Sequence, residues 1–304
     1  MSWTLYRWVW QLRSPLHIGH MPAGALNRTR LYIPARNMWA ALTAEIARQQ
    51  AGDSFPTYED VGRELQEHAR FTYLFPAEQM NGQWHVWLPC YEEGESLVWR
   101  REGEENTKVA DRAFRRRLLH TRPSTALAPG SGAAEEGTLR EIECIATHWK
   151  PAQEQASNSS SPVAFVGYVF VKDTLPQHLQ SVLKDIREVF IGGETRYGFG
   201  HLVLLPFSES KQQPWEGVNM CFDNEVELNG DTPIVKQPSY LVAHGIFPSA
   251  YAKGDREALF QWDWQTPRPS HQLYWKPGTQ VQEPQNLVFF IEQDGFWAGQ
   301  YAAS

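Results

Sequence analysis

Hydrophobic and polar positions alternate from Trp3 to Arg13 (WTLYRWVWQLR), a period of two that predicts a β-strand ended by Ser14-Pro15. Leu31 to Ile33 form a short apolar entry to a helix that starts at Pro34. Met38, Ala41, Leu42 and Ile46 make its apolar face, and Gly52 follows its end. TYEDVGRELQEHA predicts a second helix, with Thr57 as N-cap and Asp60 at the third helical position. RFTYLFPA and QWHVWLPC are strands around Asn81-Gly82, a strong hairpin signal. From Tyr91 to Gly137 the periodicity breaks down, and a long irregular insertion is expected. A strand resumes at Thr138 (TLREIECIATHWK), and PAQEQASNSSSP reads as a polar linker or exposed hairpin tip. PVAFVGYVFVKD is apolar on both faces and is therefore expected at the centre of a sheet. Leu175, Leu179, Val182, Leu183, Ile186 and Val189 then recur at helical spacing. That helix delivers the chain into FIGGETRYGFGHLVLLP, a glycine-rich loop running into an apolar strand. After Phe207 only short β-like pieces remain (SYLVAHGIF, HQLYWKPG, NLVFFIEQDG).

With 304 residues, the chain can bury a substantial core as one large or two medium domains. Its formal net charge of −7 means that any nucleic-acid site must be a local basic groove. The acidity is unevenly placed: beyond Phe207 there are six Lys or Arg against twelve Asp or Glu. Cys90, Cys144 and Cys221 are widely spaced with no CxxC pair, which argues against a structural zinc site or a disulfide framework and suggests a reducing compartment. No apolar run is long enough to span a membrane and the N-terminus lacks a signal-peptide pattern, so a cytoplasmic, soluble protein is expected. The thirteen tryptophans are expected to fill the core or a subunit interface.

Candidate chemistry collects in two places. In the glycine-rich loop, Gly192, Gly193, Gly198 and Gly200 allow close backbone approach. Arg196 supplies charge, and Tyr197 or Phe199 a stacking face, which together suit a phosphodiester chain. In the insertion, eight Lys or Arg stand against four Asp or Glu between Arg100 and Arg122. The densest point is Arg115-Arg116-Arg117, with Lys108, Arg112, His120 and Arg122 around it. A packing turn and a solvated charged loop are the alternatives at these two places. His17 to His20 spell HIGH, the nucleotide-binding tetrapeptide of class I aminoacyl-tRNA synthetases. Loop-like MPAGALNRTR follows instead of a helix, and no KMSKS-type sequence occurs. GxSxG, HExxH and GxxxxGK are absent too, and no catalytic triad suggests itself.

SPLHIG with YIPARNMWAALTAEI, then STALAPGSGAAEEGTLREIECI, then VGYVFV, a helix and FIGGETRYGFGHLVL occur in that order. Together they resemble the RAMP superfamily of CRISPR-associated proteins over roughly residues 1–206. The resemblance implies an α+β fold with a ferredoxin-like (RRM-like) core, tandem or modified, and a thumb inserted at about 91–137. Residues 207–304 would form an extension packing on the core or on a partner. The glycine-loop spelling and acidic extension look most like the subunit that caps type III effector complexes and holds the 5′ tag of the CRISPR RNA, in antiviral defence. Implied partners are CRISPR RNA, RAMP backbone subunits and the large signalling subunit, with target RNA met indirectly and no membrane. The implied RNA-binding residues are Gly19, Arg28, Arg30 and Arg36, with the insertion cations and the loop residues named above.

There are departures from the family pattern. YIPARNMWAAL lacks the Gly and Ser pair usual at the helix start. RAMP subunits that cut target RNA carry an Asp in the loop after strand 1, whereas HMPAGALNRTRLY has no Asp or Glu and offers Arg28 and Arg30. Metal-assisted cleavage needs a carboxylate there, so a subunit without nuclease activity, metal or other cofactor is expected. One alternative is a metal-free repeat-RNA endoribonuclease using His17 or His20 as acid or base, with His120 also available. Others are a guide-coating backbone subunit that has lost its Asp and a purely structural bridging protein.

Overall fold

The computed structural model describes residues 1–151, 160–210, 213–262 and 267–302. The first part of the chain runs β1 (Trp3–Leu12), β2 (Leu26–Asn27), α1 (Ala35–Ala51), α2 (Tyr58–His68), β3 (Ala69–Phe71), β4 (Phe75–Met80) and β5 (Gln83–Glu92). It continues with β6 (Ser96–Arg101), β7 (Glu104–Ala110), α3 (Asp111–Leu118), β8 (Leu119–Ser124), β9 (Arg140–Ile145), β10 (Val163–Lys172), α4 (Gln177–Asp185), β11 (Glu188–Phe190) and β12 (His201–Leu204). One sheet has the order β11-β12-β1-β10-β4-β5-β6-β7, with β3 also on β10. Taking β1, β3 with β4, β10 and β12 as the four core strands, the order is 4-1-3-2, all antiparallel, with α1 and α4 in the crossovers. That is the ferredoxin-like arrangement.

Strand β10 is central because its sequence permits nothing else. Nine of its ten residues are buried, and it pairs with β1 along Trp3↔Lys172 to Gln11↔Ala164 and with β4 on the other side. An apolar run without alternation belongs where both faces are covered. The Asn81-Gly82 hairpin takes positive φ at both turn positions (50° and 74°), matching the twist of β4 and β5. Pro34 sits at the N-cap of α1 and Gly52 (φ 53°) at its C-cap. Thr57 precedes α2 but makes no side-chain cap bond.

Two expectations change. The helix before the glycine loop stops at Asp185, because Glu188–Phe190 pair with β12 as the edge strand β11. The stretch from Tyr91 on is ordered, not irregular: it carries the end of β5, then β6, β7, α3 and β8. Two aromatics within this charged stretch, Trp99 and Phe114, organise it together with Trp87 and Trp149 on either side. Trp99 stacks on Phe114 (centroids 4.3 Å apart, planes 6° apart), and Phe114 meets Trp87 at 5.7 Å and Trp149 at 5.4 Å. Each such pair adds about 0.5–1.5 kcal/mol beyond its buried area. The polar run at 151–162 lies largely outside the described residues.

The second part contains β13 (Gly217–Val218), β14 (Met220–Cys221), β15 (Asn224–Glu227), β16 (Ile234–Lys236), β17 (Gly245–Ile246), β18 (Ala252–Lys253) and β19 (Arg256–Trp262). The remaining strands are β20 (Pro267–Trp275), β21 (Gln280–Val281), β22 (Leu287–Ile291) and β23 (Trp297–Tyr301). β13 returns to the edge of β1, and eight others form the sheet β14-β15-β16-β22-β23-β17-β20-β19. Among the described residues no helix longer than four residues lies in this part, so the ferredoxin-like core is modified, not tandem. The two sheets share one apolar core: Phe222 meets Phe75 at 5.5 Å and Tyr168 at 4.7 Å. Among the described residues ten tryptophans are buried, which assigns them to the core. Among the described residues no helix is long and apolar enough to cross a membrane.

Candidate nucleic-acid interface

The glycine-rich loop is held to the Ser14–Gly19 segment by backbone groups. Gly193 N donates to His17 O (2.9 Å), Gly200 N to Pro15 O (2.8 Å), and His201 N to Ser14 Oγ (2.9 Å). A side chain would not fit at two of the glycines. A Cβ on Gly192 (φ 88°) would overlap the His17 carbonyl, and one on Gly200 (φ 75°) the Ile191 carbonyl. Gly198 (φ 80°) has only left-handed backbone to accommodate, with open space around it. The lock leaves the loop tip outward: Arg196, Tyr197 and Gly198 are exposed, while Phe199 is buried beneath them. Arg122 lies over the Phe199 ring at 5.3 Å, and Arg140 reaches Glu194 at 3.7 Å. Arg140 escaped the sequence reading, because it lies on the returning strand and outside every basic run.

On its other side, the Ser14–Gly19 segment continues into a small hairpin. Gly19 is bridged to Thr29, His20 N donates to Arg28 O (2.9 Å), and Arg30 N donates to Ile18 O (2.8 Å). Glu143 fastens this hairpin to β9. Its Oε2 accepts from Thr29 N (2.9 Å), and its carbonyl accepts from His17 Nδ1 (2.8 Å). Arg30 turns inward, donating to Glu257 Oε1 at 2.7 Å, and His20 Nε2 lies 3.4 Å from Glu257 Oε2. His244 Nε2 also donates to Glu257, and its Nδ1 accepts from Tyr73 OH at 2.6 Å. Burial alone would raise the Glu257 carboxyl, but hydrogen bonds from His20, His244 and Arg30 hold it well below the usual carboxylate range. Burial likewise works against the Arg30 charge, and Tyr32 and Glu257 beside it overcome that and raise its pKa. Burial pushes the Tyr32 hydroxyl up to about 12 and holds His244 below the ordinary imidazole value despite Glu257.

The insertion cations do not converge. Arg115 pairs with Asp111 (2.7 Å) along α3, while Arg117 turns in to Glu78 (2.6 Å) and lies over the Trp149 ring at 5.0 Å. Lys108 is held by Glu92 (2.7 Å) and Glu95 (2.9 Å). Arg112 and Arg116 are on the exposed side of the helix. His120 contacts Cys144 Sγ at 3.2 Å, and burial with Arg122 and Lys150 lowers its pKa. The densest basic run of the sequence is thus dispersed over three directions. Arg36 lines a cleft with Arg256 and Lys276, two cations of the acidic extension that nothing in the sequence ties to the first hairpin. Among the described residues no three of His, Cys, Asp and Glu are grouped to hold a metal ion.

An RRM reads single-stranded RNA with aromatics on its two central strands. Here those strands are β1 and β10, and the second part of the chain covers them. Trp215 packs against Tyr6 at 5.0 Å and Trp8 at 5.4 Å, Trp8 Nε1 donates to Pro214 O, and Phe222 closes Tyr168. These rings of the two central strands are therefore packed against the chain itself.

No family model and no curated protein matches the sequence. A chain in a cryo-EM structure of the Type III-B Cmr-beta bound to cognate target RNA and AMPPnP shares the fold. It is 12% identical, with a TM-score of 0.52, over 90% of this chain and 85% of that one. Chains in the Cmr-beta bound to cognate target RNA and in its apo state align at 11% identity over 66% of this chain and 96% of each, with TM-scores of 0.39 and 0.40.

Proposed function

We propose that the chain is a non-catalytic CRISPR-RNA-binding subunit of a type III effector complex, holding the 5′ tag of the guide and contacting neighbouring subunits. The observation that carries this reading is the glycine-rich loop locked by backbone onto Ser14–Gly19 with Arg196 and Tyr197 turned outward and Arg122 and Arg140 beside it. A rigid loop with exposed cation and ring meets a phosphodiester chain without ordering cost, contacting phosphates with Arg and a base with Tyr. The fold shared with a Cmr-beta chain over most of both lengths supports the same assembly. Partners then include the other subunits of such a complex, and target RNA through the guide.

The absence of nuclease activity rests on the use that the fold makes of the two glutamates bonded to the first hairpin. Glu143 and Glu257 reach that hairpin from elsewhere in the chain, and both already accept hydrogen bonds from it. His20 Nε2 lies against Glu257, and His17 Nδ1 donates to a carbonyl, so His17 Nε2 is the atom a metal-free endoribonuclease would use. The test is filter binding of repeat-derived RNA, with parallel incubation in Mg²⁺ or EDTA. Binding without cleavage is expected. Discrete cuts lost in His17→Ala or His20→Ala would replace this reading with that of a metal-free processing endoribonuclease.

A further inference from the structure

A cleft of about 700 Å³ separates the first hairpin and the start of α1 from the β19–β20 hairpin. Its apolar lining includes Met21, Leu273 and Phe296, the first two 71% and 54% exposed. Its cations include Arg256, which donates to Ser249 Oγ with its guanidinium 3.9 Å from the Trp275 ring centroid, and Lys276, 3.6 Å from Asp255. A second cavity, of about 460 Å³, shares His20, Arg30, Glu257 and Lys276 with the first and adds Arg28 and Arg115 together with Asp111 and Asp255. The Arg30–Glu257 ion pair therefore stands where the two cavities meet.

A cleft that offers both apolar and cationic groups suits a nucleotide, whose base has apolar faces and whose phosphate is anionic. The Glu257 carboxylate presents two anionic oxygens to the Arg30 fork (2.7 and 3.4 Å) and to the His20 and His244 imidazoles. A phosphate offers the same acceptor pattern to the same donors. Glu257 also comes from a strand of the acidic second part, so it is an anion brought to the hairpin by folding.

We propose that this cleft is a second RNA-binding site, taking one or two unpaired nucleotides, with Glu257 occupying the position of a phosphate at the junction of the two cavities. The inference rests on the reading of the chain as an RNA-binding subunit and adds a site remote from the glycine-rich loop. Entry of a strand replaces Glu257 at Arg30 and His20, and Arg256 and Lys276 take the flanking phosphates.

The test is filter binding of a short single-stranded oligoribonucleotide to the full chain across a salt series, with adenosine monophosphate as competitor. Arg256→Ala and Lys276→Ala should each weaken binding and make the log–log salt slope shallower by about 0.7. Glu257→Gln should tighten binding and steepen the slope by about the same amount. A 4-thiouridine in the strand should crosslink to the segments around Met21 or Leu273. If Glu257→Gln fails to fold, the Arg256 and Lys276 variants with the crosslink decide. Unchanged slopes in those two variants, tightening absent in a folded Glu257→Gln, or competition by the mononucleotide without strand binding at the cleft would each overturn the proposal. Arg196→Ala and Arg140→Ala serve as the control at the glycine-rich loop. Loss there with no effect in the cleft refutes this site alone, whereas a wild-type chain that binds no RNA refutes both readings.

Discussion

The glycine-rich loop and the Arg115–Arg117 run were the two basic features of the sequence, and folding treats them in opposite ways. The loop has one arginine of its own, yet hydrogen bonds from its N–H groups to the Pro15 and His17 carbonyls, with His201 N donating to Ser14 Oγ, fix its shape, and Arg122 and Arg140 are brought beside it. The run has three adjacent arginines, and the helical turn of α3 points them apart, one along the helix to Asp111 and one inward to Glu78. Charge density along a chain therefore says little about charge density in space. Close backbone approach, which only glycine permits, says more.

The largest effect should come from the lock itself. Gly200→Ala is expected to cost about 3 kcal/mol or more, combining the left-handed backbone penalty of about 1–2 kcal/mol with overlap at the Ile191 carbonyl. Gly198→Ala should cost only the backbone share of about 1–2 kcal/mol, since nothing lies near its missing side chain. Urea midpoints compare the two, and equal losses would mean the loop is not locked where these contacts place it.

Next comes Arg117→Ala, which strands Glu78 and uncovers Trp149. It should lower stability by about 3 kcal/mol while leaving the salt dependence of RNA binding unchanged. A large change in salt slope without loss of stability would restore the arginine run as the RNA contact and reverse the comparison. Paired substitution of Arg196 and Arg140 by Ala should do the opposite. Thermal midpoints should hold, and the log–log slope should become shallower by about 0.7 per lost phosphate contact.

The smallest expected effect is a pH dependence at the Glu257 cluster. Burial holds the His244 pKa below its unfolded value of about 6.5. The unfolded chain then binds more protons than the folded one below that pH, so this contribution is present above about pH 6.5 and lost on acidification. Denaturant midpoints should fall between about pH 7 and pH 5, and His244→Gln should flatten that fall. A steeper fall in the variant would show that His244 is charged in the fold.

Much of the ferredoxin-like unit was legible because its signals are local. The alternation of β1, the two-faced apolar run of β10, the Asn81-Gly82 turn and Pro34 at the start of α1 each depend on residues within one element. The end of the helix after Leu175 is not legible in the sequence, because Ile186 and Val189 suit a helix as well as a strand. Pairing of Glu188–Phe190 with β12 decides between them, and a partner strand is not visible in a local pattern. The insertion looked irregular for a related reason: the contacts that order it join Trp87, Trp99, Phe114 and Trp149, which no periodicity links.

The amino-acid sequence by itself determined the core strands and helices, the glycine-rich loop and its attachment to a strand, and the acidic character of the last third. Only the tertiary structure decided which charges meet. It closed β1 and β10 with Trp215 and Phe222, carried Arg140 to the glycine-rich loop, and brought Glu257 from over two hundred residues away to the first hairpin. Local propensities depend on a few neighbouring residues, whereas an ion pair or a covered sheet face depends on how whole elements pack.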